Sequence, residues 1–174
     1  MADSADTSAS AASSDAKQSS PASFAAEDKA SDTGLRVDFY VLEEASSTAR
    51  LKLACRLAEK AYLASQTALV WDTDPEELKA FDELLWTFMD GSFVPHERLV
   101  PGAAATSPVL LSDGATPCAP VDILINLAAD IPSCLALTRR VAEIIDGEDS
   151  RRRSGRARFK AYRDLGIQPA THRI

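Results

Sequence analysis

Between residues 35 and 174, short blocks of apolar residues alternate with segments of helical period, and the first 34 residues show neither pattern. "VDFYVL" at 37–42 is a continuous apolar, β-branched and aromatic run, as expected of a strand covered on both faces. The following "EASSTARLKLACRLAEKAYLAS" sets Leu53, Leu57, Tyr62 and several alanines at helical spacing behind Ser46 or Ser47 as N-cap. "TALVW" at 67–71 predicts a second strand. The next helix, in "DTDPEELKAFDELLWTF", has a strong start: Asp74 as N-cap, Pro75 at the first helical position, and Glu76 and Glu77 where the helix dipole favours anions. Strand followed by helix, twice over, points to βαβ units and a parallel sheet.

The second half is less regular. "SFVPHERL" is extended at best, because Pro95 removes a donor and restricts Val94. "PVLLS" predicts a short edge strand within loop-rich sequence, and "VDILINLA" at 121–128 the clearest later strand. "RVAEIID" at 140–146 fits strand or helix by length, and its β-branched, alternating content favours strand. Ser150 to Leu165, closed by Gly166, predicts a last helix, and Gly155 within it, about 1 kcal/mol worse than Ala, suggests a late start or fraying. The fold class is α/β, one domain with a mostly parallel central sheet flanked by helices.

Composition divides the chain. Residues 1–34 are mostly Ala, Ser, Asp and Thr, with one aromatic and six acids against two lysines, and predict a disordered tail without a role of its own. Residues 35–174 are a normal size for one domain with a core. No secretory signal and no apolar run of membrane-spanning length occur, and Cys55, Cys118 and Cys134 form no CxxC pair. A soluble, cytoplasmic protein with reduced thiols is expected.

Such a fold invites a search for nucleotide chemistry. There is no GxGxxG and no GxxxxGK[ST], and His96 and His172 lack metal-ligand spacing, so neither cofactor nor metal is expected. Ser112-Asp113-Gly114 is a turn signal. Asp82 and Glu83 flank the Leu84-Leu85-Trp86 stripe as a solvated helix face. A degenerate nucleotide-binding or helicase-like domain with enzymatic activity stays as the alternative function.

Charge is distributed unevenly. Residues 151–174 hold eight of the nineteen Lys and Arg and a single acid, in a chain of net charge −7. At about 100° per residue, Arg152, Arg156, Phe159, Lys160 and Arg163 share an arc of roughly 100°, with Ala161, Tyr162 and Leu165 on the other side, suited to packing on the sheet. One alternative is a solvated charged face. Nucleic acid is a poor partner for it, since residues 35–149 carry nine positive and nineteen negative charges that would repel a polyanion.

"VDFYVL", "FDELLWTFMDGSFVPHERL" at 81–99, "PVDILINL" at 120–127 and "RARFKAYRDLGI" at 156–167 together resemble the chi subunit family of bacterial DNA polymerase III holoenzyme, in the same order and over most of residues 35–174. The tail and the Ala/Pro-rich stretch 101–119 fall outside the likeness. The resemblance implies an α/β domain like a nucleotide-binding fold without its phosphate loop. It further implies two protein partners and DNA met only indirectly: the psi subunit of the clamp loader, and the acidic C-terminal tail of single-stranded DNA-binding protein. Carried over by position, Arg156 and Lys160 would meet the tail's carboxylates, Arg152 and Arg163 would assist, and Phe159 with Ile145 would line a pocket for its terminal Phe. Trp86 and Phe93, which by themselves are better explained by core packing, would by the resemblance contact psi.

Overall fold

The computed structural model describes residues 34–174. In chain order these form β1 (Arg36–Val41), α1 (Ser47–Leu63), β2 (Ala68–Trp71), α2 (Pro75–Thr87), β3 (His96–Arg98), β4 (Val109–Ser112), β5 (Val121–Asn126), β6 (Thr138–Ile145), α3 (Asp149–Asp164) and β7 (Ala170–Arg173). The seven strands make one sheet in the order β3-β4-β2-β5-β6-β1-β7, with every neighbouring pair parallel. The expected tail lies, apart from Gly34, outside the described residues.

Parallel strands need crossovers, and helices placed on both faces bury the sheet twice. On one face α1 and α2 bring Leu51, Ala54, Cys55, Ala58, Leu78, Phe81 and Leu85 onto Tyr40, Val70, Leu111, Ile125 and Ile144. The small residues of α1 form its inner stripe, whereas Leu53, Leu57 and Tyr62 flank it, only partly buried. On the other face, Tyr162 of α3, with Ile167, covers Val37, Phe39, Leu124, Val141 and Ile145. Ser46, Asp74 and Glu148 cap the three helices, each accepting from backbone N–H groups of the first turn.

Several expectations need correction. "PVLLS" is no edge: β4 lies between β3 and β2 with all four residues buried, and the edge on that side is β3, from the Pro-containing segment. The other edge, β7, comes from "ATHR", which has no apolar signature. α3 starts at Asp149 and runs unbroken through Gly155. Leu165 lies just past the helix and is 61% exposed, so it contributes nothing to the packing face.

Candidate functional site: a basic cleft between the last helix and the sheet edge

α3 follows β6 and returns the chain to β7, passing the face of β1 between them. Two arginines fix it there from its inner side. Arg158 is 5% exposed and donates from Nε to Glu143 Oε2 at 2.8 Å and from Nη1 to Ala129 O at 2.6 Å. Glu143, fully buried on β6, also accepts from Tyr162 Oη at 2.8 Å and Asn126 Nδ2 at 3.0 Å. Burial, with the Glu143 carboxylate beside it, pushes the Tyr162 phenol far above its usual range. At the start of the helix, Arg151 donates to both oxygens of the buried Asp146, at 2.7 and 2.8 Å. Burial alone would raise the Asp146 carboxyl, but Arg151 and the Glu148 amide hold it below the ordinary value.

With the helix so fixed, its outer side forms a cleft of about 470 Å³ against β1, β6 and β7. The floor is apolar: Phe39 and Val41 from β1, Ile145 from β6 and Phe159 from α3, with the Phe39 and Phe159 rings 5.2 Å apart at 63°. Arg152 and Arg156 stand on the α3 wall, Thr171 and Arg173 on the β7 wall, and Glu43 at the end. Gly155 lets helix and strand come this close: a Cβ on it would lie 2.1 Å from Ile145 Cδ1. Gly155 is thus a packing requirement of the cleft. Arg152 spends one donor on Glu43 O at 3.0 Å, while its Nε is buried with no partner.

Four of the six residues expected from sequence, Arg152, Arg156, Phe159 and Ile145, therefore meet in one cleft. Lys160 and Arg163 are exposed on the following turns of α3 and do not line it. Phe39, Val41, Thr171 and Arg173 were not anticipated, because they come from strands far away in sequence. The arrangement suits an acidic ligand with an apolar end: three guanidinium groups surround an apolar floor, opposed by one carboxylate.

Trp86 and Phe93 are not core residues: they are 53% and 61% exposed, with ring centroids 5.3 Å apart. Gly91, at φ +77°, turns the chain between them. The Trp86 ring also lies 4.7 Å from that of His96, tilted at 53°, and the imidazole is held by Asp82 Oδ1 at 2.9 Å and Val94 O at 2.7 Å. Asp82 is therefore a structural partner of His96 and, at 3.6 Å, of Arg98, not merely a solvated helix face.

At the carboxyl ends of the strands, where parallel sheets of this kind hold their ligands, most of the polar groups pair with one another, and the exception, Asp72 Oδ2, is a buried carboxylate oxygen. Asp74 and Glu148 occupy the N-termini of α2 and α3, and Arg50 joins Glu77 with the Ile144 and Leu127 carbonyls. Among the described residues no cluster of His, Cys, Asp or Glu suited to a metal occurs, and no helix is long and apolar enough to cross a membrane.

A family model described as DNA polymerase III chi subunit, HolC, matches residues 35–170. The chain is 37% identical over 139 residues to the DNA polymerase III subunit chi of Pseudomonas aeruginosa, covering 80% of this chain and 96% of that protein. Against the subunit chi of Escherichia coli the identity is 28% over 134 residues, covering 74% and 91%. Among solved structures, T4 UvsW superposes with a TM-score of 0.58 at 13% identity over 81% of this chain and 42% of that one, a likeness of fold alone. The family match runs from β1 through α3 and ends at the first residue of β7, and the chain belongs to the DNA polymerase III chi subunit family, a component of DNA replication.

Proposed function

We propose that the chain is a non-catalytic adaptor of the clamp loader, joining the psi subunit to the acidic C-terminal tail of single-stranded DNA-binding protein in the cytoplasm. The observation that carries this proposal is the cleft, in which Arg152, Arg156 and Arg173 surround the apolar floor of Phe39, Ile145 and Phe159. An acidic peptide ending in Phe matches both parts. Lys160 and Arg163, exposed beside the cleft, extend the positive field to acids further along the tail. DNA is met only through that protein, because the acidic remainder of the domain opposes a polyanion.

Burying a Phe side chain contributes roughly 1.5 to 3 kcal/mol, and each exposed ion pair roughly 0.2 to 1. Set against the cost of association, these increments support binding at about the micromolar level. Titrating a labelled tail peptide by fluorescence anisotropy tests the proposal. Arg156→Ala should weaken binding several-fold with the fold intact, removal of the peptide's terminal Phe more so, and added salt progressively. Equal binding of native and scrambled peptides would refute it.

The exposed Trp86–Phe93 pair supports the psi contact, since large aromatics open to solvent are the usual anchors of protein interfaces. Trp86→Ala should weaken psi capture by about tenfold or more and leave the tail peptide's affinity unchanged; loss of both would mean that the substitution unfolds the domain. Against the enzymatic alternative, the N-termini of α2 and α3 are capped by carboxylates that repel phosphate.

A further inference from the structure

The wall of the cleft opposite α3 is a sheet edge. Among the described residues β7 pairs with β1 alone, through the register Phe39↔Thr171 and Val41↔Arg173. Ile174 N–H donates to Val41 O at 3.0 Å. In a parallel ladder alternate residues turn their N–H and C=O to the same side, so His172 also faces β1 and the backbone groups of Thr171 and Arg173 face outward. The side chains follow the same alternation on the two faces. Those of Thr171 and Arg173 line the cleft, while His172 lies on the other face, where its Nε2 is 3.0 Å from Asp38 Oδ1 and its ring stacks on Tyr40. The two residues whose side chains face the cleft are therefore the two that leave backbone donors and acceptors open beside it.

We infer that an acidic peptide bound in the cleft pairs its main chain with Thr171 and Arg173 and extends the sheet by an eighth strand. The inference rests on the proposed tail-receptor function and specifies how that tail is held. A strand added to β7 lies about 4.8 Å beyond it, which brings alternate side chains to the α3 face beside Arg173, Arg156 and Arg152. Opposite charge selects an acidic peptide, and the open edge requires that it be extended. Main-chain pairing also supplies what exposed ion pairs lack, a fixed direction and register.

The test uses the full chain and a synthetic peptide of the last ten residues of the same organism's single-stranded DNA-binding protein. Backbone amide exchange is read by nuclear magnetic resonance, and affinity by anisotropy. At saturation the Thr171 and Arg173 amides should exchange about tenfold more slowly, with that of His172, already bonded to β1, little changed. A peptide series N-methylated one residue at a time should alternate, with about five- to tenfold weaker binding where the amide faces β7 and less than about twofold at its neighbours. Binding with both amides as exchangeable as in the free protein, and no alternation, would overturn the added strand while leaving the tail-receptor function standing. No binding at all would overturn both.

Discussion

Gly155→Ala separates the stability of the last helix from the shape of its cleft. In an exposed helix the change is worth about 1 kcal/mol in favour of Ala. Here the new Cβ would sit 2.1 Å from Ile145 Cδ1, 3.1 Å from Cγ1 and 3.6 Å from Cγ2, so Ile145 must turn its terminal methyl away. Leaving its preferred rotamer costs roughly 0.5 to 1.5 kcal/mol, which cancels most of the helix gain. The melting temperature should then stay within about 4 °C of the parent, given 2 to 4 °C per kcal/mol for a domain of this size. Binding should respond differently. Ile145 is part of the cleft floor, and the open space available to its methyl is the cleft itself. If half the burial of the incoming Phe is lost, the cost is about 1 kcal/mol, or roughly fivefold in affinity. Adding Ile145→Val removes Cδ1, so the double variant should recover both the affinity and the helix gain, as a coupled pair in a double-mutant cycle. Thermal melts and anisotropy titrations of the four proteins suffice. Unchanged affinity in Gly155→Ala, or independent effects of the two substitutions, would refute the role assigned to this contact.

Asp72 is buried and keeps one carboxylate oxygen without a partner, and burial pushes its pKa up to about 6, with Glu77 adding to the rise. A carboxyl raised in the fold contributes stability that is full below pH 3.8 and is lost as pH rises towards 6. Asp72→Asn keeps an acceptor for the Asp74 amide and cannot ionise, so it should stabilise the protein above pH 6 by roughly 2 to 3 kcal/mol, with little gain near pH 4. Urea midpoints at pH 4.5 and 7.5 measure this, and an equal gain at both would show that Asp72 does not titrate. Deleting residues 1–34, which the sequence predicts to lie outside the domain, should shift the melting temperature by no more than a few degrees.

The parallel sheet was legible because strands buried on both faces must be continuous apolar runs, and "VDFYVL", "TALVW" and "VDILIN" are such runs. β4 has the same character, but loop-rich sequence on both sides disguised a central strand whose neighbours, β3 and β2, are set by topology. β7 was illegible for the opposite reason, since a polar edge strand has only one partner and no apolar face to display. At the site, helical period brought Arg152, Arg156 and Phe159 together, whereas the β1 and β7 walls exist only once α3 has crossed over β1. Arg158 was hidden in a run of arginines, where buried and exposed members look alike. A signal for it lay in β6: Glu143 in the apolar "VAEII" cannot be buried without a cationic or hydrogen-bonding partner, and Arg158 and Tyr162, one turn apart on α3, both supply it.

That sorting of arginines also bears on where this fold does its work. Ligands of open parallel sheets gather at the carboxyl ends of the strands, around free helix N-termini. Here Asp74 and Glu148 fill the N-termini of α2 and α3, and the nearby Arg50 and Arg151 are bound to Glu77 and Asp146. An incoming phosphate would meet carboxylates whose cations are already engaged. Adjacent residues of α3 differ by about 100° in direction, so Arg151 turns inward to Asp146 while Arg152 turns to the cleft. Arg158 likewise reaches Glu143 while Arg156, two residues earlier, stays open to solvent at the cleft. The inward set costs desolvation and is held by buried carboxylates, and it fixes the helix that presents the outward set. The crevice at the carboxyl edge is thereby closed to anions by the same helix that opens a basic cleft along the sheet's β7 edge, and under the proposed function this shift takes recognition from small phosphates to an extended acidic chain.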